Sequence, residues 1–95
     1  MVFDIFQVKN LGPFTTKEEK HRTLYLKDDK AFLVCNKNTI EVRCDAKLAN
    51  HLREKYESVM ESRYFGQGGI EIVLADQLTK QEINDLVHLS YNLTN

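Results

Sequence analysis

Short β-prone runs, broken by polar pairs, fill the middle of the chain. Residues 21–44, "HRTLYLKDDKAFLVCNKNTIEVRC", read as three strands, because Asp28-Asp29 and Lys37-Asn38 separate the apolar runs. Two-residue polar breaks of this kind are hairpin signals, and they fix the register of the strands they join. The register then places Leu26 opposite Ala31, Leu24 opposite Leu33, Cys35 opposite Ile40 and Ala31 opposite Cys44. One face collects Leu24, Leu26, Ala31, Leu33, Cys35, Ile40, Val42 and Cys44, and is expected to be the core face. The other carries Thr23, Tyr25, Phe32, Val34, Glu41 and Arg43, with Tyr25 beside Phe32 and Phe32 beside Arg43.

The period then changes. In "CDAKLANHLREKYES" the residues Leu48, Ala49, Leu52 and Tyr56 recur at helical spacing behind Asp45, a good N-cap. Near the C-terminus, Thr79 and Glu82 form a T-x-x-E capping box ahead of a stripe of Ile83, Leu86, Val87, Ser90 and Tyr91. Between the helices, Val59–Phe65 and Ile70–Ala75 are strand-like runs around Gly66-Gln67-Gly68-Gly69. Phosphate-binding glycine loops lead into a helix N-terminus. These glycines lead into "IEIVL", a strand, so they are expected to form a hairpin corner with Gly68 at positive φ. Residues 1–20 are the least patterned: "MVFDIFQVKN" fits a short helix or an edge strand. Gly12-Pro13 breaks it, and residues 16–19 fit one capped helical turn or a loop.

The predicted class is α+β: a single antiparallel β-sheet with helices packed on one face, in the order short α-β-β-β-α-β-β-α. The 95 residues form one domain, 1–95, with room for one core. No apolar run approaches the roughly 20 residues that span a bilayer. "MVFDIF" lacks a basic start and a cleavage site, so a cytoplasmic location is expected.

Net charge is −1; residues 1–43 hold eight Lys/Arg against six Asp/Glu, and residues 44–95 hold five against eight. Proteins that hold DNA mainly through phosphates are usually clearly basic, so tight nonspecific binding is not expected. Cys35 and Cys44 match no zinc or redox spacing, and His21, His51 and His88 are scattered, so no metal or other cofactor is expected. The register sets the two cysteines about 13 Å out of step along adjacent strands, beyond the roughly 7 Å that a disulfide spans. They are expected to be buried thiols. No catalytic triad, and no carboxylate pair on a cleft, can be placed from sequence, so an enzyme is the least favoured class.

From about Arg22 to the C-terminus the chain resembles the MmcQ/YjbR family. The residues that carry the likeness are "CDAKLANHLREKYESV" with its Leu52-Arg53-x-x-Tyr56, the following "ESRYF", and "LTKQEINDLVHLSYNLT" with its Ser90-Tyr91 pair; Pro13-Phe14 is a further echo. The family is described as predicted DNA-binding proteins with a double-wing, frataxin-like fold, and the resemblance implies both for this chain. Where many relatives carry Asn-Lys-x-His-Trp, this sequence has Gly66-Gln67-Gly68-Gly69-Ile70, without the Lys, His and Trp.

Two function classes follow. In the first, Tyr25, Phe32 and Arg43, extended by Arg63 and Phe65, form an open sheet face that stacks bases and meets phosphates of duplex or single-stranded DNA. In the second, the same residues form an interface with a protein partner or a second copy of the chain. A third possibility is that residues 1–20 fold over this face and bury it.

Overall fold

The computed structural model describes Ile5, Val8, and residues 10–75 and 77–94. Their elements are β1 (Thr15–Glu19), β2 (Arg22–Lys27), β3 (Lys30–Cys35), β4 (Thr39–Arg43), α1 (Ala46–Lys55), β5 (Val59–Ser62), β6 (Gly66–Val73) and α2 (Lys80–Leu93). The strands form one antiparallel sheet of six in the order β1-β2-β3-β4-β6-β5. Both helices lie on one side of it, α2 over β3 and β4 and α1 over β5 and β6. The fold is therefore α+β, and from Arg22 onward the element order is the expected one. The expected short N-terminal helix falls largely outside the described residues.

Local chemistry explains the boundaries. The β2–β3 turn is Asp28-Asp29, both at positive φ (51° and 67°), as a tight twisted hairpin requires. At the β3–β4 turn, the Asn36 N–H donates to the Thr39 carbonyl at 2.9 Å around Lys37-Asn38. Asp45 caps α1 by accepting from the Leu48 N–H at 2.9 Å. Thr79 and Glu82 form the complete capping box of α2.

Two expectations are corrected. Residues 15–19 form an edge strand paired to β2, because a tight turn at Lys20-His21 follows Thr-Thr-Lys-Glu-Glu and folds β2 back antiparallel to it. In addition, a bulge shifts the β2–β3 register between Tyr25 and Leu26. Leu26 faces Ala31 as expected, but Tyr25 faces Leu33 and Leu24 faces Val34. One inserted residue exchanges the two faces of a strand. Phe32 and Leu33 therefore both join the helix-side core, with Tyr25 packed against it, while Leu24, Ala31 and Val34 are buried outside that cluster. Beyond the bulge the register holds, with Cys35 opposite Ile40 and Leu33 opposite Val42.

The helix-side core is Leu33, Ile40, Val42, Ile70 and Ile72 from the sheet against Ala49 of α1 and Ile83 and Val87 of α2. Cys44 belongs to it and Cys35 packs on its edge; both are free thiols. Burial pushes Cys35 up to about 12, and burial with the charge of Asp45 pushes Cys44 up to about 11. Neither is a ready nucleophile, since the thiolate is the reactive form.

Candidate functional site

Among the described residues no helix lies on the sheet's second face, yet that face is not open. Between β5 and β6 the segment Arg63–Phe65 turns back across it. The Arg22 guanidinium lies 5.1 Å from the Tyr64 ring centre, the Tyr64 and Phe65 rings meet edge-on at 4.9 Å, and the Arg43 guanidinium lies 4.9 Å from the Phe65 ring. This row runs from β2 to β4. It crosses β3 where Val34, 0% exposed, faces outward. Cation–π contacts of this kind contribute about 0.5–1 kcal/mol each when exposed. The cover on this face is thus the β5–β6 connection, whereas Ile5 and Val8, of the described residues in 1–20, belong to the helix-side core.

A polar network pins the cover down. Glu41 and Glu71 are direct cross-strand partners on β4 and β6, both buried. Glu41 Oε1 accepts from Ser62 Oγ at 2.8 Å and from the Tyr64 N–H at 2.9 Å, and its Oε2 accepts from Asn36 Nδ2 at 2.9 Å. Glu71 takes a two-point contact from Arg63, at 2.9 and 2.8 Å, and a hydrogen bond from Thr39 Oγ1 at 2.8 Å. Burial alone would raise the Glu41 carboxyl, but the hydrogen bonds from Asn36, Tyr64 and Ser62, with the charge of Arg63, hold it below the usual range. Glu41 is an anion on the floor of the sheet.

Above that floor is an open groove of about 420 Å³ lined by Glu19, Lys20, His21, Arg22, Asn36, Glu41 and Arg63. It falls within the roughly 300–1,000 Å³ of small-ligand sites. Lys20 and His21 come from the β1–β2 turn, Arg22 from β2, Asn36 from the β3–β4 turn and Arg63 from the cover. Arg22 pairs with Glu19 at 2.5 Å and Arg63 with Glu71 at 2.8 Å. The Arg63 side chain, which lines the groove, remains 75% exposed, and Tyr64, which stands against the lining residue Arg22, is 40% exposed.

The five residues singled out by sequence divide accordingly. Phe32 is 0% exposed, packed 5.0 Å from the Tyr91 ring of α2. The bulge turned it inward, so it is not an exterior stacking platform. Tyr25 is also on the helix side, 5.8 Å from the Phe14 ring. Arg43 does face outward, but its Nε donates to the Ala31 carbonyl at 2.8 Å while its guanidinium sits against Phe65. Arg63 and Phe65 belong to the cover, and of the five only Arg63 lines the groove. Sequence reasoning missed Lys20, His21, Arg22, Asn36 and Tyr64. The Arg63-Tyr64-Phe65 run was the visible signal for Tyr64, but nothing in the sequence announced that it would fold over the face.

The glycines resolve similarly. The turn is Arg63–Phe65, and Gly66-Gln67-Gly68-Gly69 already belongs to β6. Positive φ falls on Gly66 (62°), not Gly68. Gly69 is the sterically required one, since an added Cβ there would lie 2.7 Å from Phe65 Cβ and 2.5 Å from the Val42 carbonyl oxygen.

Among the described residues no group of three or more His, Cys, Asp and Glu could hold a metal ion, and no helix is long and apolar enough to cross a membrane. No protein-family model, curated protein or solved structure matches the chain.

Proposed function

We propose that this chain is a small non-enzymatic nucleic-acid-binding module that takes single strands in the groove beside Tyr64. The observation that carries the reading is the juxtaposition of Lys20, Arg22 and Arg63 around one groove bordered by an exposed aromatic ring. Cations that track a backbone next to a ring on which a base stacks are the ingredients of sequence-tolerant single-strand binding. The resemblance to the MmcQ/YjbR family points the same way, and the β1–β2 hairpin, whose turn carries Lys20 and His21, would serve as a wing. A cytoplasmic setting suits the two free thiols. Binding is weak, because Glu19 and Glu71 already engage two of the three cations.

Two or three phosphate contacts to a single strand give a log–log salt slope of about −1.4 to −2.1. Between 50 and 200 mM salt, affinity then falls roughly 7- to 18-fold. Fluorescence anisotropy with single-stranded and duplex 12-mers measures this directly. Lys20→Ala, an exposed site outside the Glu41–Glu71 network, flattens the slope by about 0.7. Tyr64→Ala costs about 1–3 kcal/mol of single-strand affinity. Absence of binding at 50 mM salt, or a salt-independent signal, refutes the reading. Concentration-dependent self-association in sedimentation, lost on Tyr64→Ala, would instead make this face an interface between copies of the chain.

A further inference from the structure

The groove floor has a chemical polarity that its rim does not. Asn36 Nδ2 donates both to Glu41 Oε2 at 2.9 Å and to Thr39 Oγ1 at 3.0 Å. Thr39 Oγ1 spends its own proton on Glu71 Oε2 at 2.8 Å. A carboxylate only accepts, so each end of this chain dictates the direction of every bond between. The Asn36 amide cannot be turned over without setting its carbonyl oxygen against the Glu41 carboxylate. Its Oδ1 therefore points away from the network as a fixed acceptor. Among the described residues Oδ1 takes no protein donor, it is not one of the fully buried unpartnered atoms, and Asn36 is one of the residues that line the groove. Beside it, Glu41 Oε2 accepts one hydrogen bond among the described residues, from Asn36 Nδ2. The floor offers acceptors and no side-chain amide donor.

We infer that Asn36 Oδ1 is a specificity-determining acceptor, selecting bases that present an exocyclic amino group to the groove floor over bases that present a carbonyl there. This rests on the single-strand reading above. The Tyr64 backbone N–H is bonded to Glu41 Oε1, which ties the ring's segment to the floor, and a base stacked on Tyr64 would lie over it. Cytosine would donate its N4–H to Asn36 Oδ1. Uracil would bring its O4 against that same acceptor and the neighbouring carboxylate, leaving two acceptors facing one another. The loss of one such hydrogen bond corresponds to about fivefold in affinity.

The test compares dC12 with dU12, which differ only in this part of the ring, at pH 7.5 and 50 mM salt by anisotropy. The expected result is that dC12 binds about fivefold or more tightly. An oligomer of the 2-pyrimidinone analogue, which lacks the amino group, binds no better than dU12; this readout leaves the protein untouched. Asn36→Ala brings dC12 and dU12 within about twofold while salt dependence persists, its folding checked by thermal melting. Equal binding of dC12 and dU12 by the native chain, or tighter binding of dU12, overturns this inference and leaves the single-strand reading standing. Binding of neither oligomer refutes the single-strand reading itself. Retention of the dC12 preference by folded Asn36→Ala assigns the selectivity elsewhere and overturns the role of Asn36.

Discussion

Ser90→Ala removes one hydroxyl, yet the geometry makes it a costly substitution. Ser90 is fully buried on α2, and its Oγ accepts from the Arg43 N–H at 2.7 Å while donating to the Phe32 carbonyl at 2.5 Å. The β3–β4 ladder pairs residues up to Leu33–Val42, and Phe32 opposite Arg43 would be its next rung. Alternation from the Asn36–Thr39 bond makes that rung a hydrogen-bonding one. The hydroxyl thus stands where a direct backbone bond would otherwise close, and it stitches helix to sheet. Alanine leaves a buried donor and a buried acceptor unpaired, each costing about 1–3 kcal/mol. Closing the strands directly would relieve part of this. It would also pull Phe32 away from Tyr91, which it meets edge-on at 5.0 Å.

The net expectation is a loss of about 2–4 kcal/mol, a large share of the roughly 5–15 kcal/mol typical of a small domain. The melting temperature would fall by about 10–25 °C. Urea denaturation followed by circular dichroism measures both midpoint and slope. Ser58→Ala is the control: Ser58 Oγ is buried and, among the described residues, has no partner, so its removal changes stability by no more than about 0.5 kcal/mol. A loss below about 0.5 kcal/mol for Ser90→Ala, with an unchanged slope, would refute the stitched-ladder argument.

Two further outcomes follow from the packing. Gly69→Ala drives a methyl into Phe65 and the Val42 carbonyl and destabilises by about 1–3 kcal/mol, whereas Gly68→Ala, whose nearest neighbour is the Phe65 carbonyl at an ordinary 3.5 Å, costs far less by the same urea measurement. Because the folded state holds Cys35 and Cys44 above an ordinary thiol, their contribution is complete below pH 9 and is lost as pH rises through about 11 to 12. Denaturant titrations show that alkaline decline reduced in the Cys35→Ala/Cys44→Ala variant, and a thiol reagent labels the native chain slowly and the unfolded chain fast. Fast native labelling would contradict the burial.

Most of the architecture was legible because it is written in local chemistry. Asp28-Asp29, Lys37-Asn38, Asp45 and the Thr79/Glu82 box each act over two to four residues, and all four appear where the pattern placed them. What failed was parity. A bulge at Tyr25/Leu26 has no glycine and no composition change to announce it, yet it exchanged Phe32 and Tyr25 for Leu24 and Ala31 across the sheet. Every site residue assigned by alternation upstream of the bulge was therefore placed on the wrong face, whereas Arg43, downstream, kept its side. The edge strand Thr15–Glu19 was hidden for another reason. Exposed nearly throughout, it carries no apolar alternation to read.

The Ser90-Tyr91 pair had counted as part of a helix stripe and as a mark of resemblance, and in the fold both residues hold distant segments together. Ser90 bridges β3 and β4. Tyr91 donates its hydroxyl to the Pro13 carbonyl at 2.8 Å, and its ring lies 4.4 Å from Lys27 Nζ. The helix side of the sheet is thereby closed by packing and by these two anchors. The opposite side is closed differently, by two buried carboxylates that hold a three-residue turn over it. Such a network is costly to desolvate, and a well-packed apolar cover of the same volume is often equally or more stable. An apolar cover would also fill the space that Asn36 and Glu41 now line. Stability alone does not call for the polar solution. The groove it leaves, with cations on the rim and acceptors on the floor, is what a ligand would read, and it is therefore where binding should be sought first.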